Sequence, residues 1–135
     1  MIPEAKKILI VDDEASIRNT LKDSLKRVAK FKVLAAKSGN MGTWFTSRHW
    51  QRPDLIILDL MMPGMDGFEM LKRVKQDSQT KNIPVVVLTG RSDEESREKA
   101  RSLGCDDYIV KPVEFQDLLL RIEKILADKI HSPAA

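Results

Sequence analysis

The sequence has little of what several common kinds of protein require. Its single cysteine, Cys105, excludes an internal disulfide and a cysteine-rich metal site, and we expect its side chain to be partly buried. No apolar run is long enough to span a membrane, and the first residues show no secretory signal pattern. These absences predict a protein of the reducing, bacterial-type cytoplasm that has no membrane partner.

The remaining composition is that of an ordinary globular domain. The chain has 135 residues, of which 42% are hydrophobic and 32% charged, and this length suits one domain with its own core. The net charge of +3 is uneven, because the first 50 residues hold ten Lys/Arg against five Asp/Glu. A basic face can bind nucleic acid, but these lysines are not interleaved with aromatics and no DNA-reading motif accompanies them. We therefore interpret them as a solvated helix face and expect no nucleic-acid binding by this domain.

Five short, mostly apolar segments alternate with helical patterns. The predicted strands are Ile8–Val11, Phe31–Ala36, Leu55–Leu58, Val85–Leu88 and Asp107–Val110. Strands that are apolar on both faces belong in parallel sheets covered by helices. Together with the short connections, this pattern predicts a doubly wound α/β fold with five parallel strands in the flavodoxin-like order 2-1-3-4-5 and five helices. The predicted domain spans residues 1–129, and residues 130–135 are expected to be a disordered tail or the start of a linker.

Three helices show clear apolar faces. Helix one is predicted to bury Ile17, Leu21, Leu25 and Val28. Helix three is predicted from Asp66 to about Gln76, with three inward residues, which are Phe68, Leu71 and Val74. Helix five carries a longer stripe, which comprises Phe115, Leu118, Leu119, Ile122, Ile125 and Leu126.

The fourth helix is expected to be weakly anchored. Ser92 as N-cap and Glu95 three residues later form a capping-box pattern. The helix then has little apolar surface beyond Ala100 and Leu103, and Gly104 is expected to end it.

The segment from Gly39 to Trp50 is the hardest to interpret. Its glycines weaken a helix, although Met41, Phe45 and Trp44 could line one face. We expect Trp44 and Trp50 to pack in the core or at its rim. An exposed tryptophan here would instead indicate a surface for a partner.

Polar side chains follow the predicted strands at the edge where ligands bind in such sheets. Strand one is followed by Asp12 and Asp13, strand three by Asp59, and strands four and five end in Thr89 and Lys111. Simpler roles are open to the acids, because Asp12 and Asp13 could cap helix one and Asp59 could cap a turn. Three carboxylates in one crevice, however, repel each other unless a cation such as Mg²⁺ neutralises them.

The same groups suggest phosphoryl chemistry. A lysine and a threonine hydroxyl could hold phosphoryl oxygens. The two histidines, His49 and His131, do not follow strands and are expected to be solvated, so nucleophilic catalysis by a Ser/His or Cys/His pair is not expected. A carboxylate remains as the nucleophile, and an aspartate can carry an acyl phosphate.

In order and placement, these residues resemble the receiver domain of bacterial two-component response regulators, over roughly residues 6–129. The resemblance implies that Asp59 accepts a phosphoryl group from a phosphohistidine on a sensor histidine kinase or histidine phosphotransfer protein. It further implies that Asp12, Asp13, Asp59 and the backbone carbonyl of Met61 hold Mg²⁺. Thr89 and Lys111 would then contact the phosphoryl oxygens.

The resemblance also implies a conformational switch. Tyr108 resembles the switch aromatic that moves inward with Thr89, although a half-buried aromatic of strand five is an equally good interpretation. The Lys111–Pro112 peptide is expected to be cis. Helix four, strand five and helix five would form the surface that controls a downstream partner or output domain, and a phosphorylation-dependent homodimer is also compatible with the resemblance. Such a domain catalyses only its own phosphorylation and dephosphorylation.

Two other functions remain as alternatives. A degenerate receiver could bind proteins without being phosphorylated. A phosphohydrolase of the haloacid-dehalogenase type also uses an aspartyl nucleophile, but it places a second acid two residues later, where this chain has Met61. The sequence leaves open whether the chain is a stand-alone receiver or the receiver of a longer protein.

Overall fold

One sheet of five parallel strands in the order 2-1-3-4-5 forms the centre of the protein, which confirms the predicted fold. The computed structural model describes the backbone of residues 5–131 and the side chains of residues 5–128. The strands are β1 (Lys7–Val11), β2 (Lys32–Ala36), β3 (Leu55–Leu58), β4 (Val85–Thr89) and β5 (Asp107–Val110). The helices are α1 (Ala15–Ala29), α2 (Gly39–Ser47), α3 (Gly67–Gln76), α4 (Glu94–Ser102) and α5 (Phe115–His131), and a 3-10 turn (His49–Gln51) follows α2.

Helices cover both faces of the sheet. Alternate residues of a strand point to opposite faces, so Leu9 and Val11 pack on the side of α2, α3 and α4. Ile8 and Ile10 pack on the side of α1 and α5. Because both faces are covered, β1, β3 and β4 are almost wholly apolar and buried.

Two helix starts show how local chemistry sets the boundaries. Helix α3 begins as predicted, because the Asp66 side chain accepts a hydrogen bond from Glu69 N at 2.9 Å. The predicted start of α4 is wrong by one residue, since Asp93 and not Ser92 is the N-cap. The Asp93 side chain accepts from Ser96 N at 2.9 Å, and the hydrogen bonds with Ser96 hold the pKa of Asp93 below its ordinary value.

The inward face of α1 differs from the prediction at its last turn. Leu25 is fully buried, but Val28 is 57% exposed. Ala29 packs against the core in its place, so the inward face runs at a spacing of four through residues 21, 25 and 29, and Ile17 is only half-buried. Val28 therefore turns to solvent.

The prediction that both tryptophans pack in the core or at its rim is wrong. Trp44 is 47% and Trp50 71% exposed, and Met41 is also exposed. Of the apolar residues expected to line α2, Phe45 alone packs against the core. Helix α2 is held instead through its small residues, as described below.

The end of the chain lies partly outside the described residues. Helix α5 continues to His131, two residues beyond the predicted domain end, and the remainder of the predicted tail, residues 132–135, is not described. No helix within residues 5–131 combines the length and apolar character that crossing a bilayer requires.

Candidate functional site

The sheet itself brings the first acidic groups together. Strands β1 and β3 are neighbours with Val11 opposite Leu58, so Asp12 and Asp59 come next on the two strands. Asp59 N donates to Val11 O at 2.9 Å, which extends the ladder by one step. The side chains of Asp12 and Asp59 are buried, at 3% and 5% exposure, whereas Asp13 is exposed.

Each buried carboxylate is fixed by its own loop. Asp12 Oδ1 accepts from Glu14 N at 2.9 Å, and Asp59 Oδ1 accepts from Met61 N at 3.0 Å. Neither contact caps a helix: α1 has no side-chain cap, and α3 is capped by Asp66. The helix-capping role considered for Asp12 is therefore wrong, whereas Asp59 does cap the turn that follows it, because it accepts from the backbone N–H two residues on.

Lys111 joins the two buried acids. Its Nζ donates to Asp12 Oδ2 and to Asp59 Oδ2, both at 2.9 Å. Burial works to lower the pKa of Lys111, but the hydrogen bonds and charges of Asp12 and Asp59 outweigh it and hold the pKa above its ordinary value. The ammonium group therefore stays charged at neutral pH and offsets part of the negative charge of the crevice.

The far strands bring the remaining predicted residues to this edge. Thr89 is the last residue of β4 and is completely buried, and its Oγ1 accepts from Arg91 N at 3.4 Å. Lys111 N donates to Thr89 O at 2.8 Å, so β5 delivers the lysine directly beside the end of β4. The Lys111–Pro112 peptide bond is cis.

Tyr108 lies inward, against the loop that follows β4. Its side chain is buried, and its hydroxyl donates to Arg91 O at 2.7 Å. Desolvation by burial is the main cause that raises the pKa of this phenol. The guanidinium of Arg97 lies 5.0 Å from the ring centroid, so a residue of α4 also contacts the ring. The role of Tyr108 as a switch stays a prediction.

Gly67 is a residue of the site that sequence reasoning missed. A Cβ at Gly67 would collide with the carbonyl oxygen of Asp59 and would lie 2.5 Å from Leu60 Cα. The first turn of α3 can therefore approach the end of β3 only because this position is glycine. The sequence showed Asp66-Gly67 only as a helix start, because the close approach involves backbone from another element.

Arg18 is a second residue that sequence reasoning missed. Its NH1 donates to the backbone oxygen of Asp12 at 2.8 Å, which ties α1 to the loop that carries the acids. Arginine in a basic helix gives no sequence signal of such a contact.

The donor set fits a hard divalent cation. Oxygen atoms of Asp12, Asp13 and Asp59 all lie within 4.8 Å of one another. Carboxylate oxygens in small number, with one acid exposed to water, are ligands that suit Mg²⁺. The predicted contribution of the Met61 carbonyl stays a prediction, and the Met61 side chain is exposed.

Comparison with known proteins shows which class of protein has this fold and site. The structure is similar to that of a CheY-like response regulator receiver domain protein from Methanospirillum hungatei, with a TM-score of 0.87 and 28% identity. The similarity covers 94% of this chain and 98% of that one. The family model for the response regulator receiver domain matches residues 8–123. The chain therefore belongs to the response regulator receiver domain family.

Two curated relatives are transcriptional regulators. The chain is 39% identical over 121 residues to the probable transcriptional regulator ycf27 of Guillardia theta. The aligned region covers 90% of this chain and 45% of the relative. The chain is 38% identical over 122 residues to the phosphate regulon transcriptional regulatory protein PhoB of Escherichia coli, with 90% and 52% coverage. The chain thus spans about half the length of the curated relatives it matches.

Proposed function

We propose that this domain receives a phosphoryl group on Asp59 from a phosphohistidine of a sensor histidine kinase or histidine phosphotransfer protein. The observation that carries this proposal is the bridge from Lys111 to the carboxylates of Asp12 and Asp59. Asp59 lies in a buried crevice, where one of its oxygens accepts a backbone hydrogen bond and Lys111 supplies a positive charge. The domain is a signalling domain, and its own chemistry is limited to its phosphorylation and dephosphorylation.

The proposed transfer needs no other nucleophile. A carboxylate oxygen of Asp59 attacks phosphorus, the new O–P bond forms, and the P–N bond to the donor histidine breaks with the electron pair going to nitrogen. The hydrogen bond from Met61 N to Asp59 Oδ1 orients the carboxylate for this attack. Lys111, which already contacts Asp59, is close enough to pair with the phosphoryl oxygens that arrive.

A magnesium ion is the proposed cofactor. Asp12, Asp13, Asp59 and the carbonyl of Met61 would hold it. When bound, it supplies positive charge that offsets the phosphoryl oxygens in an acidic crevice.

The loop after β4 is proposed to carry the change outward. Thr89 would turn its hydroxyl towards the phosphoryl group, which weakens the contact of its Oγ1 with Arg91 N. Tyr108 is hydrogen-bonded to the same residue, so the two side chains are coupled through Arg91. Helix α4 follows this loop and buries only Ser96 and Ala100, so it is weakly anchored. A change in its position would alter the surface formed by α4, β5 and α5, which we propose controls a downstream partner or output domain.

The test is the intact mass of the protein after incubation with acetyl phosphate and Mg²⁺. The parent is expected to gain one phosphoryl group, Asp59→Asn none, and a chelator should abolish the gain. Asp23→Asn is the matched control, because Asp23 is an exposed acid of α1 and its loss should not affect the gain.

Two results would contradict the proposal. One is a phosphoryl group that persists in Asp59→Asn. The other is a parent that accepts phosphate neither from acetyl phosphate nor from a purified phosphohistidine donor protein. The second result would favour a phosphorylation-independent binding module.

A further inference from the structure

Helix α2 packs on the protein with its small residues and presents its large ones to solvent. Its buried residues are Gly39, Gly42 and Thr46. A Cβ at Gly42 would lie 2.7 Å from Met70 Cε, and one at Gly39 would lie 2.7 Å from Met65 O. The helix therefore lies close to its neighbours, most tightly at Gly39, where the contact is with backbone, while Phe45 is its one large side chain that packs against the core.

The opposite side holds a group of side chains that we call the tryptophan surface: Met41, Trp44 and Arg48, with Trp50 in the following 3-10 turn. Met41 is 38%, Trp44 47% and Trp50 71% exposed. A tryptophan has up to about 250 Å² of surface, so these two expose about 300 Å² of aromatic area. Exposed tryptophans are typical of surfaces that bind partners, because the ring supplies a large apolar area.

The Trp44 ring is packed between neighbouring side chains. The Arg48 guanidinium lies over its ring at 3.9 Å from the centroid, and Arg48 NH1 donates to Trp44 O and to Ser47 Oγ at 3.3 and 3.2 Å. The Trp44 ring also meets Phe45 edge-on, with centroids 5.2 Å apart. Contacts that hold an aromatic side chain in place reduce the entropy that it loses when a partner covers it.

The charge around this surface is mainly positive. Lys7 Nζ donates to Trp50 O at 3.1 Å, and the nearest acid along the chain, Asp54, accepts from Lys7 N at 2.8 Å. From Ser38 to Pro53 the chain contains no acid, whereas Lys37, Arg48 and Arg52 are basic. We propose that the tryptophan surface binds an acidic protein segment that has at least one apolar side chain. The apolar residue would cover the tryptophans, and the carboxylates would face the cations around them.

The same observations disfavour nucleic acid as the occupant. Tight phosphate-backbone binding uses about 6–10 cationic contacts, and four cations belong to this region: Lys7, Lys37, Arg48 and Arg52. The surface is mainly aromatic, with cations at its edge.

A phage-displayed library of random peptides tests the proposal without knowledge of the natural partner. Peptides are selected on the parent protein, and their affinities are measured by fluorescence anisotropy on the parent and on three variants. The selected peptides should be enriched in Asp and Glu and contain an apolar residue. Trp44→Ser and Arg48→Glu should each weaken binding by at least about tenfold, as at the centre of other interfaces. Val28→Ser is the matched control, because Val28 is an exposed apolar residue on another helix, and it should leave the affinity unchanged.

Circular dichroism and phosphorylation by acetyl phosphate should be unchanged in all three variants, so that a loss of binding cannot come from unfolding.

The proposal is overturned if no peptides are selected, if those selected lack acidic residues, or if they bind Trp44→Ser as well as the parent. If peptides do not bind, but poly(dT) or phosphatidylglycerol vesicles bind the parent and not Trp44→Ser, the surface is assigned to nucleic acid or lipid instead. Self-association in sedimentation velocity that is lost in Trp44→Ser would make a second copy of the chain the occupant.

Discussion

Replacing Gly67 by alanine is expected to destabilise the domain, although the same change would favour an isolated helix. Gly67 is the first residue of α3. Alanine is better than glycine in a helix by up to about 1 kcal/mol, so local propensity alone predicts a gain. In the folded protein, however, the new methyl group would collide with the carbonyl oxygen of Asp59 and lie 2.5 Å from Leu60 Cα.

The collision involves backbone, which cannot move aside as a flexible side chain could. Overpacking of a rigid site costs about 1–3 kcal/mol, and the upper end applies because two backbone atoms are involved. With a slope of about 2 kcal/mol per M in urea, a loss of about 3 kcal/mol lowers the unfolding midpoint by about 1.5 M. Any relief of the collision also displaces Asp59, and a misplacement of 1 Å can slow a reaction by about 100-fold. Phosphorylation of the Gly67→Ala protein should therefore be slower than that of the parent even without urea.

Urea unfolding followed by far-UV circular dichroism measures the effect. Gly90→Ala is the matched control, because a Cβ at Gly90 meets nothing within 4 Å, and its stability should stay within about 0.5 kcal/mol of the parent. A Gly67→Ala protein that is as stable as the parent, or more stable, would refute the close approach of α3 to β3 and with it our account of how Asp59 is positioned.

Three further predictions follow from the site and from α4. Lys111→Met should bind Mg²⁺ more tightly than the parent in isothermal titration calorimetry, because the ammonium no longer competes for Asp12 and Asp59; weaker binding would contradict that competition. The pKa of Lys111 is raised in the folded protein, so its contribution to folding stability is complete below the ordinary lysine pKa of about 10.4 and is lost as the pH rises through the folded-state pKa. In unfolding experiments at a series of pH values, the parent should therefore lose stability above about pH 10.4 more steeply than Lys111→Met. Parallel curves would show that the lysine is not coupled to the acids. Asp93→Ala should speed hydrogen exchange of the first amides of α4, whereas Ser92→Ala should not; equal effects would be evidence against Asp93 as the cap.

The candidate site was predictable because its residues stand at strand ends. A buried apolar run followed by a polar residue is visible in sequence, and parallel pairing then brings the ends of different strands to one edge. For this reason Asp12, Asp59 and Lys111 could be placed together before any contact was known. The fixed contacts among them were not predictable, because the bridge from Lys111 joins residues that are 99 and 52 positions apart.

The five apolar strands, the helices with regular apolar stripes and the polar residues that follow the strands are set by the chain alone, because period and polarity are local properties. Tertiary structure decided which apolar residues are covered. Helix α2 has apolar residues in a helical pattern, yet it packs on the protein through Gly39, Gly42, Thr46 and Phe45, so Trp44 faces solvent. Likewise, only the approach of α3 to β3 makes Gly67 necessary. Both outcomes depend on distances between elements that are remote in sequence, and no local pattern records such distances.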